Sequence, residues 1–322
     1  MTKLFLEPEI VFPSKDLSHI IHHFEFFHYR EHASSSFTLF PSLDTGLLFI
    51  FSPNYLNTST DITNRGSKIV PCSFVPPRTL PYCLQLPKYF VGLKVVFQPG
   101  MYSYVYDTHL QAYQNKFVDA ALHFDSSLTS MQAELSALGE NEKKVLAFET
   151  YLRDSLERQE VKKRRPFLQI MRQIMGRYRP EETATKLALR LQLSRRHLNR
   201  ILNQELGFSA KAFLKILRFT HLLYFIHRNM KMDFCQIALE FGFCDQAHFC
   251  KEFKRMSGSS PGNYLKWVKE NQVLTRVEYL QNGLLVFPNR MLFGYNQYGL
   301  EKKVWNSEFP PSDSKQTVLL AG

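Results

Sequence analysis

Apolar and polar positions alternate in short runs through the first 125 residues, and turn formers separate the runs. The pattern predicts strands at Phe37–Phe40, Gly46–Phe51, Ser67–Val70, Tyr82–Leu86 and Val91–Phe97. Pro53-Asn54, Asn64-Arg65-Gly66, Pro76-Pro77 and Pro99-Gly100 interrupt the chain between them. Short strands punctuated by Pro and Gly read as a small barrel or sandwich. Its many Phe and Tyr suit either a plain core or an apolar pocket. After Pro99-Gly100 the period lengthens to that of a helix. Short helices are predicted at Met101–Tyr106 and Val118–Phe124, and longer ones at Ser130–Leu138 and Glu142–Leu156. In the last of these, Val145, Phe148, Leu152 and Leu156 form one apolar stripe, which packs on the barrel or makes a dimer seam. One early run, His22, His23, Glu25, His28 and His32, holds metal-ligand residue types. A barrel metal site needs ligands converging from several strands, and this run is local. It is read as a helical pattern with exposed histidines, with no metal.

The second half is helical in period. Phe167–Tyr178 is amphipathic, with Phe167, Ile170, Met171 and Ile174 on one side. Ser194 is placed to cap a helix over Arg195–Gln204, because its hydroxyl can accept an orphan backbone N–H. Leu198 and Leu202 of that helix face a core, while Arg196, Asn199, Arg200 and Asn203 recur on one outward face. Ser209–Asn229 then reads as one long helix, apolar at Phe213, Ile216, Leu217, Thr220, Leu223 and Tyr224. Further on, Phe234, Ile237, Ala238 and Phe241 fall on one helical face, and Gly242 follows where a helix end needs a left-handed residue. Asp245 caps the next helix, which buries Phe249 and Phe253 and leaves Gln246, Ala247, Cys250 and Lys251 outside. Gly258 ends it, Ser260 caps again and Pro261 takes the first helical position. Two helices joined by a tight Gly-containing turn make a helix-turn-helix, whose second helix is shaped for a DNA major groove.

Charge sharpens this picture. Residues 161–270 hold 22 Lys and Arg against 8 Asp and Glu, whereas residues 1–160 hold 13 against 17. Concentrated basic charge favours a polyanion through counterion release. Alone it also fits RNA or a membrane surface; the helix-turn-helix geometry favours duplex DNA. The 322-residue length allows two cores. Glu160–Pro166 (EVKKRRP) reads as the boundary between them, a solvated linker or a run that touches phosphates. Five irregularly spaced Cys argue against a disulfide framework and for a reducing compartment. The start carries acidic residues and Pro where a signal peptide would be apolar, and the apolar runs are too short for a membrane span. The expected location is the cytoplasm. Neither G-x-S-x-G nor a P-loop is present, and no catalysis or cofactor is expected.

The segment Phe234–Trp267 resembles the AraC family of bacterial transcription regulators, through Ile237-Ala238, Gly242-Phe243, Asp245-Gln246, His248-Phe249, Phe253-Lys254, Gly258, Pro261 and Tyr264. A second match to the same motif runs through Leu187-Ala188, Leu191, Leu193-Ser194, His197-Leu198, Leu202, Gly207 and Ser209. The amino-terminal half is similar to the sensor or dimerisation domain such regulators carry, at Asp44-Thr45-Gly46 and Val96-Phe97-Gln98-Pro99-Gly100. The implied fold is α+β: an amino-terminal, β-rich, cupin-like barrel with following helices, then an all-α domain of two helix-turn-helix units joined by a long helix. The expected divisions are a sensor or dimerisation domain over 1–160, a basic linker over 161–166, a DNA-binding domain over 167–270, and a hairpin plus disordered tail over 271–322. The hairpin rests on Gln281-Asn282-Gly283.

The candidate DNA contacts follow. Arg196, Asn199, Arg200 and Asn203 are base-reading types, since Arg suits guanine and Asn suits adenine. Arg195 beside them suits a phosphate. The resemblance places Gln246, Ala247 and Lys251 in the groove at the second head and Lys254 on a phosphate. Ala247 offers only apolar contact, so the second head is expected to select less. Arg218 matches a family position with a structural role, pinning the heads together. The partners implied are double-stranded DNA, a small-molecule effector or a second subunit, and RNA polymerase if the protein activates. Cys235, Cys244, Cys250 and His248 form one departure, open to a thiol or metal switch or to plain small core residues. Two alternatives stand beside this reading: a cupin-like enzyme or metal-binding domain with a passenger helical domain, and a protein adaptor that uses the bundle without DNA.

Overall fold

A computed structural model describes residues 8–30, 35–53, 56–59, 67–158, 167, 170, 171, 173, 174, 178–229 and 233–270. The expected basic linker and the expected tail hairpin lie outside the described residues. The fold is α+β, with antiparallel sheets first and helices after.

Among the described residues, ten strands form two sheets: β1 (Glu9–Val11), β2 (Ile21–Arg30), β3 (Ser35–Leu39), β4 (Gly46–Ile50), β5 (Leu56–Ser59), β6 (Ser67–Ile69), β7 (Cys72–Val75), β8 (Tyr82–Leu86), β9 (Tyr89–Phe97) and β10 (Val118–Asp119). One sheet runs β1-β2-β9-β4-β7-β10 and the other β3-β8-β5-β6, with antiparallel pairing throughout. The larger sheet is buried on both faces. Leu48, Ile50, Val75 and Phe90 meet Leu84 and Leu86 of the smaller sheet. Phe24, Phe26, Leu47, Phe49, Phe74, Leu93 and Val95 point the other way, onto the helices that follow. Those helices are α1 (Met101–Val105), α2 (Ala120–His123), α3 (Leu128–Ala137) and α4 (Asn141–Arg158), with a 3-10 turn at Leu110–Tyr113. Val145, Phe148 and Leu152 of α4 lie in this core, and the Phe148 ring meets Phe24 and Phe49 at 6.1 and 5.9 Å. The α4 stripe therefore packs on the sheet.

The histidine run departs from expectation. Residues 21–30 are a strand, with His22, His23 and Glu25 buried. His23 Nε2 lies 2.8 Å from Glu25 Oε1, and Lys94 Nζ donates to Glu25 Oε2 at 3.0 Å. The ammonium and imidazole hold the Glu25 carboxyl down at about 2, against the opposing effect of burial. Every residue from Ile21 to Phe26 is buried, so the polar–apolar alternation that marks a strand is missing. His32 lies outside the described residues.

The remaining helices are α5 (Ala184–Arg190), α6 (Arg195–Leu206), α7 (Ala210–Arg228), α8 (Phe234–Glu240), α9 (Gln246–Ser257) and α10 (Pro261–Glu270). They enclose a single core with Leu198 and Leu202 of α6, Leu217 and Leu223 of α7, and Phe249 and Phe253 of α9. Phe40 and Leu43, from the loop after β3, belong to this core as well.

Candidate nucleic-acid interface

Each of two helix pairs is set by local chemistry. Thr183 accepts the Lys186 N–H at the start of α5, and Ser194 accepts the His197 N–H at 3.1 Å at the start of α6. Asp245 accepts the His248 N–H at 2.6 Å at the start of α9. Such caps satisfy backbone donors that a helix start leaves open. Gly207 closes α6 at φ +78°, and Leu110's carbonyl oxygen lies 2.9 Å from where a Cβ would stand, so both conformation and space require glycine. Ser209 then caps α7 through the Ala212 N–H. Nineteen residues at 1.5 Å each make α7 a connector about 28 Å long.

The sequence-predicted contacts divide into two groups. Arg195, Arg196 and Arg200 are exposed on the first turns of α6. Arg200 is oriented by its neighbours: Nη1 donates to Gln204 Oε1 at 3.1 Å, and Nη2 lies 3.3 Å from His197 Nε2. Asn199 and Asn203 are half-buried. The Asn199 Oδ1 accepts the Ala210 N–H at 2.8 Å and its Nδ2 donates to the Arg195 carbonyl at 3.1 Å. Both ends of that amide are engaged inside the head, stitching α6 to α7. At α9, Gln246, Ala247, Lys251 and Lys254 are all exposed. Gln246 Oε1 accepts from Cys235 Sγ at 3.0 Å. Cys250 is half-buried against the core rather than outside.

Among the contacts that join the heads, the one through Arg218 was implied by the family resemblance, and the ion pair at Lys215 had no signal in the sequence pattern. Lys215 of α7 pairs with Glu252 of α9 at 3.1 Å. Arg218 lies on α7 with its guanidinium carbon 5.4 Å from the Phe243 ring centre, and its charge acts on the buried Tyr178 hydroxyl. It thereby ties the turn of the second head to the segment before the first.

The amino-terminal half touches both heads. Ser103 of α1 donates to Glu205 of α6 at 2.9 Å, Gly207 rests on Leu110, and Phe167 packs over Gly100. On the other side the Phe40 ring meets Phe219 of α7 edge-on at 5.7 Å and Tyr264 of α10 at 6.0 Å. Buried Arg78 holds that loop: its Nη1 donates to the Pro76 carbonyl, its Nε to the Phe40 carbonyl at 3.4 Å, and its backbone pairs with Ser42.

A helix-turn-helix family profile matches residues 187–266, the stretch from α5 to α10. Residues 187–266 carry a helix-turn-helix domain of AraC type. The AraC-type segment is 28% identical over 103 residues to the Msm operon regulatory protein of Streptococcus mutans, covering 32% of this chain and 37% of that protein. It is 36% identical over 83 residues to an uncharacterised HTH-type transcriptional regulator of Haemophilus influenzae, covering 26% of this chain and 28% of that one. The match thus spans little more than a third, and little more than a quarter, of these relatives' lengths. Among solved structures, ToxT of Vibrio cholerae aligns over 76% of this chain and 98% of its own at 14% identity, with a TM-score of 0.41. ToxT bound to an unsaturated fatty acid aligns over 75% and 94% at 12% identity, with a TM-score of 0.38. No described helix is long and apolar enough to cross a membrane.

Proposed function

We propose that this chain is a sequence-specific regulator of transcription that binds double-stranded DNA through α6 and α9. The observation that carries the reading is an AraC-type segment whose first recognition helix opens on three exposed arginines, within a stretch of 22 basic against 8 acidic residues. Arg196 and Arg200 read base edges in one major groove, and Arg195 takes a phosphate. Asn203 lies at the buried end of the same face, and Asn199 joins it only by releasing Ala210. Gln246, Ala247 and Lys251 face the next groove, with Lys254 on the backbone. Successive grooves lie about 34 Å apart, and the α7 connector is of that order.

Residues 1–160 form the controlling domain. It acts through its contacts on α6, α7 and α10, in response to a small effector or to pairing of two chains, in the cytoplasm. RNA polymerase is a partner if the protein activates. A gel-shift titration tests the DNA reading. Arg200→Ala is expected to weaken the preferred site by about 1–3 kcal/mol and relax selection at one base pair. An equal loss on all sequences would show that Arg200 does not read a base.

A further inference from the structure

Between the two heads lies a cavity of about 510 Å³, walled by the start of α5, the first residue of α6, the first two thirds of α7, and the turn and one face of α9. Its floor is apolar, formed by Leu214, Phe219, Leu222, Phe243, Phe253 and Met256. Its rim carries Arg195, Lys211, Lys215 and Arg218 against Glu182 and Glu252. Both acids are already matched. Glu182 forms a two-pronged pair with Arg190 at 2.9 and 2.8 Å, and Glu252 pairs with Lys215 and Arg255 at 3.1 Å each. Among the described residues, no carboxylate pairs with Arg195, Lys211 or Arg218. The Arg218 Nε–H is buried and meets no acceptor there. A buried donor left unmatched in a folded protein calls for an explanation, and a ligand acceptor is one.

We propose that this cavity binds a small amphipathic organic anion, a carboxylate or sulfonate on an apolar body of bicyclic size. The volume is that of a small-molecule site, and an apolar floor beneath a rim of charged and polar side chains suits a ligand with one apolar and one charged end. Arg218 supplies the fork that an oxyanion matches, and the Phe243 ring beneath it restricts where that fork points. A bare phosphate would leave the apolar floor uncovered. The occupant touches α5, α7 and α9 at once and so holds the heads in one relation. It also draws on Arg195, which opens α6; the consequence that occupancy weakens DNA binding rests on the function proposed above.

The site itself is tested without DNA, so a failure here leaves that function standing. Calorimetric titration of the full chain with 1-naphthalenesulfonate is expected to show one site. Inorganic sulfate and the neutral 1-naphthalenemethanol should each bind at least tenfold more weakly. Arg218→Met should lose tenfold or more in affinity for the sulfonate, and Ala184→Trp, which fills the cavity wall, should abolish binding. Absence of sulfonate binding overturns the proposal, as does equal binding of the alcohol or of sulfate. So does wild-type affinity in either variant, provided its thermal midpoint matches that of the parent. Because Arg218 also packs on Phe243, Ala184→Trp keeps the test decisive if Arg218→Met fails to fold.

Discussion

Phe40→Ala removes a ring that the amino-terminal half inserts into the helical core. Phe40 is 5% exposed, and its covering comes from Phe219 and Tyr264, on helices more than 170 positions away. Burying an aromatic of this size removes roughly 150 Å² or more from water, about 4 kcal/mol at 25 cal/mol per Å². Truncations of buried Phe lose about 3–5 kcal/mol in practice. Some of that area is covered by the ring's own domain, so about 3 kcal/mol is assigned to docking. At 1.4 kcal/mol per tenfold, the docked form loses about 150-fold against the undocked. The sheet core and the helical core each persist, since Phe49 and Phe249 remain fully buried in their own clusters. Scanning calorimetry should therefore show a cooperative transition in the parent separating into two in Phe40→Ala. The helical part should melt earlier, by about 2–4 °C per kcal/mol lost. Phe49→Ala is the control: it should lower the sheet domain's transition without the same loss of docking. An unchanged thermogram in Phe40→Ala would show that the ring does not couple the halves, and the account of control through this joint would fall with it.

Other outcomes follow from single positions. Gly207→Ala places a side chain at φ +78° against the Leu110 carbonyl 2.9 Å away, and should lower stability by more than the roughly 1–2 kcal/mol of left-handed strain alone. Gly258→Ala, at φ +79° with nothing within 4 Å, should lose only that strain; equal melting midpoints for the two would contradict the contact at Leu110. The His221 ring packs 4.8 Å from that of Tyr178, and burial lowers its pKa to about 4. With the folded value below the unfolded 6.5, the unfolded chain takes up its proton first. Stability is full above pH 6.5 and falls as pH drops toward 4, by about 2–3 kcal/mol at 1.36 per unit. Urea midpoints across that window should decline in the parent and decline less in His221→Gln; identical slopes would sink the assignment.

Where the information is local, the sequence carried the fold. Ser194, Asp245 and Ser260 each accept an N–H at the helix start assigned to them, because a cap depends on a few adjacent residues. The strands at Gly46, Ser67 and Tyr82 were legible for the same reason, within a residue or two of their ends. β2 was not: burial on both faces erases the period by which a strand is known. β1, β5, β7 and β10 were likewise not assigned. On α6, spacing put Asn199 and Arg200 on one face, but only the folded head shows that Ala210 takes the Asn199 amide while Arg200 stays exposed. The joint at Phe40 and the cavity between the heads were invisible from spacing. Helix phase is fixed by neighbours three and four positions apart, whereas the meeting of Phe40 with Phe219, or of Arg218 with Phe243, depends on how separate elements pack. That choice is made by the burial of whole faces against one another, which no short window of sequence contains.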